Sequence, residues 1–474
     1  MPSSGRALQP LPLRNPAMPT LPVVKYASRT DVGMRRSTNQ DSFAVRLCTD
    51  IEEWQRCGHL FMVADGMGGH AVGDLASRIA VETLPHAYFK LDAPGLQSRM
   101  RQAICAANKA INDRGRENRE FEGMGTTCSA LALTVDGAII GHVGDSRVYR
   151  VRDGRIEQLT FDHSLQWEMI RLGRATVENV ELFHPRNVIT RCLGPDSVVQ
   201  VDIEGPFSIA AGDHFILCSD GLTNHVTDTE IGQVVTSLPP AESSRLLIDL
   251  ANCRGGSDNS TAVVVRIDSY PETIDEAPTE IPETPKLDRT MDIPAGHSGV
   301  AQILLAATAV LCLLAGIILG IIDQYIPAAI LIAASVLSWL ISRRMVSQRP
   351  VRSSEGFSAA SASPFASGLP IESESTSSVS RPSVPGQTFN PRSPYRVIEA
   401  QVSETFVSHL AEVQSDLVQA ARDSAWSVDF DEITALNKQA GSAQQSSRPG
   451  LSIGPRARAI ELLMREMYQR SRSI

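Results

Sequence analysis

Residues 59–69, His-Leu-Phe-Met-Val-Ala-Asp-Gly-Met-Gly-Gly, restrict the fold of this chain more than any other stretch. The apolar run from Leu60 to Ala64 has the length of a buried strand, and it stops abruptly at Asp65 with three glycines in the next four positions. Such a segment brings one carboxylate to a sheet rim where backbone must come close to something, since glycine has no Cβ to prevent it. Two further acids share that setting. The run 215–218 leads into Ser219-Asp220-Gly221, and Asp258-Asn259 directly precedes the apolar run 261–267. A single Asp-Gly is ordinarily a turn. Three strand-end acids meeting without a counter-ion would repel one another and take up protons, whereas a hard divalent ion satisfies carboxylate oxygens. Asp65, Asp220 and Asp258 are therefore expected to share one site for Mg2+ or Mn2+.

Around these acids the pattern alternates between short apolar runs and longer amphipathic ones, enough for a substantial core. Strands are predicted at 43–48, 60–64, 127–135, 138–143, 148–151, 156–159, 215–218 and 262–267, with hairpin turns at Asp136-Gly137 and Asp153-Gly154. Helical spacing recurs at 74–90, 96–116, 165–172, 229–238 and 241–252. Without regular strand-helix alternation, this pattern predicts a layered α+β fold with mostly antiparallel sheets.

The flanking regions differ in composition. Residues 1–22 are rich in Pro and Ser, lack the apolar block of a secretory signal, and read as a disordered lead. Pro, acids and Thr make 269–298 an acidic linker. Two apolar runs, 301–322 and 325–341, are separated only by Asp323-Gln324, and each is long enough to span a bilayer. They predict a transmembrane hairpin over 299–342. Arg343, Arg344, Arg349 and Arg352 place its exit on the cytoplasmic side, and two crossings return the preceding domain to that side. Ser and Pro dominate the linker 343–394. Within 395–474, Val402, Phe406, Leu410, Val413 and Leu417, then Ile460, Leu463, Met464 and Met467, form helical stripes. Such stripes suit either self-association or a protein partner. Eight cysteines lie scattered without paired spacing, which argues against zinc, against a disulfide framework and for a reducing compartment. A formal charge of -9 with no basic cluster in the globular part argues against nucleic acid.

Further acids and one arginine complete the constellation. Asp31-Val32-Gly33-Met34-Arg35-Arg36-Ser37-Thr38-Asn39-Gln40-Asp41 supplies Asp41, able to reach a metal-bound water, and Arg36, whose guanidinium can fork onto phosphate oxygens or simply lie in solvent. Gly144-Asp145-Ser146-Arg147 again sets an acid after an apolar strand, to bind an ion or close a turn. Together with Asp65-Gly66-Met67-Gly68-Gly69, Gly125-Thr126-Thr127, Leu159-Thr160-x-Asp162-His163-Ser164, Ser219-Asp220-Gly221-Leu222 and Asp258-Asn259-Ser260-Thr261, these motifs resemble the metal-dependent PPM (type 2C) Ser/Thr protein phosphatases in their bacterial form.

The match covers about residues 24–268, and seven weak motifs in the right order are specific. The resemblance implies an α-β-β-α sandwich, two antiparallel sheets flanked by helices; the apolar runs and helical stripes read above add two transmembrane helices and a partly helical tail. It implies Mn2+ or Mg2+, two ions with a third weaker site. Asp65 would bridge the two ions with the Gly66 carbonyl on one, Asp220 and Asp258 would complete the other, and Asp145 would hold the third. Asp41 would orient the water and Arg36 would bind substrate phosphate. Residues 171–194 resemble the family's mobile flap and the strand after it. Gln40 stands where the family often has Glu, which weakens the second ion site. Met67 stands where many eukaryotic members have His, so the general acid is unassigned among His70, His163 and His184, each of which could equally be structural. The implied activity is hydrolysis of phosphoserine and phosphothreonine, with Ser/Thr kinases and their substrates as partners. The competing reading is a weakly active pseudophosphatase that scaffolds a complex at a membrane.

Overall fold

A computed structural model describes residues 21–68, 72–176, 180, 185, 188–271, 397–445 and 449–471. All of them belong to one unit assembled from 1–275 and 385–474. The lead up to residue 20, the acidic linker beyond 271, the expected hairpin at 299–342, the linker 343–394, His70 and His184 lie outside the described residues. No helix among the described residues is long and apolar enough to cross a membrane.

In chain order the strands are β1 Val23–Asp31, β2 Asp41–Arg46, β3 His59–Met67, β4 Gly125–Thr126, β5 Cys128–Thr134, β6 Gly137–Val143, β7 Arg147–Arg152, β8 Arg155–Gln158, β9 Asp202–Phe207, β10 His214–Cys218, β11 Ser260–Ser269 and β12 Val397–Glu399. The helices are α1 Ile51–Cys57, α2 Val72–Lys90, α3 Leu96–Glu117, α4 Leu165–Arg171, α5 Asp220–Thr223, α6 Asp228–Ser237, α7 Pro240–Cys253, α8 Glu404–Asp423, α9 Phe430–Gln445 and α10 Gly450–Ser471. One sheet runs β1-β11-β10-β7-β8-β12 and the other β2-β3-β5-β6-β9, with β4 beside β3. Every strand pair is antiparallel.

Strand periodicity of two explains the layers. Phe61 and Val63 of β3, Phe215 and Leu217 of β10, and Val263 and Val265 of β11 fill one cluster between the sheets. The alternate residues face outward: Leu60 and Met62 meet α2 and α3, whereas Ile216, Cys218, Ala262 and Val264 meet α6 and α7. Each wholly buried large side chain contributes about 1.5–3 kcal/mol of transfer free energy. The result is an α+β sandwich with helices on both outer faces.

The elements not expected from the sequence include β1, β9 and α1, beside the short β4, β12 and α5 and the tail helix α9. Strands β1 and β9 lie at sheet edges. Edge strands carry polar and exposed residues, Val23 and Tyr26 in β1 among them, so they show no apolar run. Helix α1 has only seven residues, too short for a periodic signal; Asp50 caps it by accepting from the Glu53 amide at 2.8 Å.

The tail stripes turn onto the domain itself. Phe406, Val407, Leu410, Leu417, Ile460, Leu463 and Met464 share one buried cluster with Leu246, Leu247 and Leu250 of α7. Before them β12 pairs with β8, Ile398 opposite Ile156, and extends the first sheet by one strand. The expected choice between self-packing and an external partner left out this third possibility, because a stripe shows that a helix needs cover and not what supplies it.

Candidate active site

Strand register brings the first two acids together, since Asp41 on β2 stands directly opposite Asp65 on β3. The backbone of Asp65 is held on both sides. Its amide donates to Thr127 Oγ1 at 2.8 Å, and its carbonyl accepts from the Thr127 amide at 2.8 Å and from Thr126 Oγ1 at 2.9 Å. Ser146 Oγ, next to Asp145, shares a hydrogen bond of 2.7 Å with Thr127 Oγ1, which links that acid's turn to Asp65. Beside it Gly66 is required by close approach: a Cβ there would come within 2.1 Å of the Gly73 carbonyl oxygen.

Asp41 joins the two sheets. Its Oδ2 accepts from Ser219 Oγ at the end of β10 and from Thr261 Oγ1 at the start of β11, both at 2.7 Å. Its Oδ1 is buried without a partner. Burial pushes its carboxyl up to about 7, against the two hydroxyls, with Asp220 and Asp258 adding repulsion.

The remaining acids come from loops and a helix start. Asp220 opens α5, and its Oδ2 accepts from Asn224 Nδ2 at 3.2 Å while its Oδ1 is buried and partnerless. Asp145 is likewise buried with an unpartnered Oδ1, and burial followed by the charge of Asp220 pushes its carboxyl up to about 8. Asp65 is raised well above the ordinary range by burial, then by Asp41, Asp220, Asp145 and Asp258. Asp258 meets the half-exposed Arg36, whose Nη2 donates to its Oδ2 at 2.8 Å. All seven predicted site residues, Arg36, Asp41, Asp65, Gly66, Asp145, Asp220 and Asp258, thus fall at one end of the sandwich.

Among the described residues no three His, Cys, Asp or Glu side chains stand as a group already able to hold a metal ion. The donor set nevertheless fits one. Three buried carboxylate oxygens lack any partner, and burial, with mutual repulsion added to it, holds Asp41, Asp65, Asp145 and Asp220 toward their protonated forms. A divalent cation removes both penalties at once.

Other residues do work that the sequence did not assign. Asn259 ties the Arg36 loop together: its Nδ2 donates to the carbonyls of Val32 at 2.9 Å and Thr38 at 3.0 Å, and its Oδ1 accepts from the Gln40 amide at 2.8 Å. Gln40 Nε2 reaches the Gly68 carbonyl at 3.4 Å. Its place beside Asp258 was the one available signal for Asn259. His163 is structural: Nδ1 accepts from the Gly144 amide at 3.0 Å, and Nε2 meets Asp202 at 2.9 Å. Arg191, in the segment expected to be the flap, pairs with the same Asp202 at 2.7 Å, and Thr126 bridges to Leu193. Cys218 and Ser219 adjoin the acids, yet burial pushes the Cys218 thiol up to about 12 and Ser219 Oγ is committed to Asp41.

A family profile described as Protein phosphatase 2C matches residues 34–246. Protein phosphatase PhpP of Streptococcus pneumoniae is 36% identical over 241 residues, 50% of this chain and 94% of that protein. Serine/threonine phosphatase stp of Listeria monocytogenes is 37% identical over 247 residues, 51% of this chain and 94% of that protein. A crystal structure of the Mycobacterium tuberculosis serine/threonine phosphatase PstP/Ppp is 35% identical with a TM-score of 0.46, covering 52% of this chain and 99% of that one. A structure of the PstP catalytic domain in complex with 2 manganese ions is 34% identical with a TM-score of 0.44, covering 52% of this chain and 98% of that one.

Proposed function

This chain belongs to the protein phosphatase 2C family and is a protein serine/threonine phosphatase, and from that premise we propose that it hydrolyses phosphoserine and phosphothreonine by direct attack of water, with Asp41 as the base and Arg36 as the phosphate ligand. The observation that carries this reading is the set of buried acids with partnerless oxygens beside one half-exposed arginine. Asp65, the Gly66 carbonyl, Asp220 and Asp258 would hold two Mn2+ or Mg2+ ions, and Asp145 a third. Such ions, when bound, make water a nucleophile at neutral pH and neutralise the phosphoryl oxygens.

The chain's own residues supply the rest. With Oδ2 taken by two hydroxyls, Asp41 has Oδ1 left to accept a proton from the attacking water. Arg36 donates one bond to Asp258 and keeps further N–H groups for phosphate oxygens. No protein nucleophile competes, because the Cys218 thiol stays protonated and Ser219 holds Asp41.

The site is proposed to face the cytoplasm at a membrane, supported by the apolar runs of 299–342 and the arginines after them, with Ser/Thr kinases and their substrates as natural phosphoproteins. The test is hydrolysis of a phosphothreonine peptide by the full chain with Mn2+ or EDTA, beside Asp220→Asn. Turnover that needs the ion and disappears in Asp220→Asn is expected. Undiminished turnover in the variant would overturn the assignment, and a folded, ion-binding protein without turnover would favour the scaffold. Membrane attachment is tested by fractionating cells that express the chain with and without 299–342; recovery of both forms in the soluble fraction refutes it.

A further inference from the structure

The loop that carries Arg36 is held at its root by Asp31, whose Oδ1 accepts from the Gly33 amide at 3.0 Å. Gly33 needs its glycine, with φ +79 and a Cβ that would fall 2.3 Å from the Asp258 carbonyl oxygen. The same Asp31 Oδ1 accepts from Asn252 Nδ2 at 3.1 Å, near the end of α7. Beyond α7 the Gly256 carbonyl accepts from the Met34 amide at 2.8 Å. The end of α7 and the turn after it therefore touch the Arg36 loop and its root at two points.

Helix α10 grips α7 from the far side. Glu461 pairs with Arg245 at 2.9 Å, Cys253 Sγ lies 3.2 Å from Met464 Sδ, and Leu463 is buried with Leu246 and Leu247. One turn further, Tyr468 Oη accepts from Asn252 Nδ2 at 2.8 Å and donates to Asp249 Oδ1 at 3.0 Å. Both amide hydrogens of the buried Asn252 are thereby assigned, one to the C-terminal helix and one to the root of the catalytic loop. A planar amide anchored by one hydrogen is fixed in rotation for the other.

We propose that Tyr468 is a positioning residue for phosphate binding: through Asn252 and Asp31 it sets the loop that presents Arg36, so that the C-terminal helix, about 430 residues later in the chain, is part of the catalytic domain. This inference rests on Arg36 being the phosphate ligand. Tyr468 touches no reacting atom, and its loss loosens binding without removing chemistry.

The experiment compares full-length protein with Tyr468→Phe, Asn252→Ala, the double variant and Arg36→Ala, measuring KM and kcat on a phosphothreonine peptide with saturating Mn2+. Phenylalanine keeps the ring and its packing and removes only the hydroxyl. One neutral hydrogen bond corresponds to roughly two- to tenfold in an equilibrium, so Tyr468→Phe is expected to raise KM about three- to tenfold while kcat changes less than twofold. The double variant is expected to be no worse than Asn252→Ala alone. Unchanged KM in Tyr468→Phe, or effects of the two substitutions that multiply, overturns the relay. If Arg36→Ala raises KM and Tyr468→Phe does not, only the relay fails. If Arg36→Ala leaves KM unmoved, the reading of Arg36 fails and the relay falls with it.

Discussion

Neutralising Asp41 should stabilise the ion-free protein while ending its activity. Its carboxyl is almost wholly buried, has one oxygen without a partner and faces Asp220 and Asp258, so the ionised form is costly in the fold and free in the unfolded chain. Moving a carboxyl from 3.8 to about 7 corresponds to about 4 kcal/mol. Below about pH 4 both states hold the proton and the group contributes nothing. Between about 4 and 7 the folded state holds a proton that the unfolded chain has released, so folding weakens by about 1.4 kcal/mol per pH unit; above 7 the penalty is constant. Asp65, Asp145 and Asp220 are raised as well, so the whole slope is steeper than one group alone would give. Urea denaturation in EDTA from pH 4 to 8 is the assay. Wild-type stability should fall across that range and recover at pH 8 when Mn2+ is added. Asp41→Asn should match wild type at pH 4 and exceed it by up to about 4 kcal/mol at pH 8, since an amide can still accept from Ser219 and Thr261. A flat wild-type profile in EDTA, or a variant less stable than wild type at pH 8, would refute the reasoning.

Two further substitutions test the scaffold. Asp162 is buried and accepts from Arg147 at 2.7 Å, Trp167 Nε1 at 3.0 Å and Gln158 Nε2 at 3.0 Å, so Asp162→Ala leaves three donors without their acceptor and the part-buried Arg147 with only Asp228, 3.7 Å away, as a charge partner; it should cost about 3 kcal/mol by urea denaturation. Leu463 is wholly buried against α7, so Leu463→Ala should cost about 2–5 kcal/mol and lower a single calorimetric transition of the full chain. A separate, low-melting transition for the tail, with the main one unmoved, would show that the tail does not fold with the domain.

Asp65, Asp145 and Asp220 were legible because each closely follows an apolar run with a strand's length, and Asp258 because it closely precedes one; burial of the run leaves either of its ends at a rim whatever the rest of the chain does. The same local logic found the hairpins at Asp136-Gly137 and Asp153-Gly154, where positive φ at Asp153, Gly137 and Gly154 suits the turn. Edge strands β1 and β9 escaped it because an edge needs no continuous apolar run. Nor could local pattern show that Ser219 and Thr261, 178 and 220 residues beyond Asp41, both close onto one of its oxygens.

Which acids stand at the ends of strands was therefore legible in the sequence alone, since residue type and the end of an apolar run are local properties. Which side chains hold those acids, and what the tail covers, was decided only by tertiary structure. A hydrogen bond depends on two partners meeting at about 3 Å, and a helical stripe specifies only that something apolar must meet it. The pairing of Tyr468 with Asn252, 216 residues apart, is written in neither neighbourhood; it exists because α10 packs on α7.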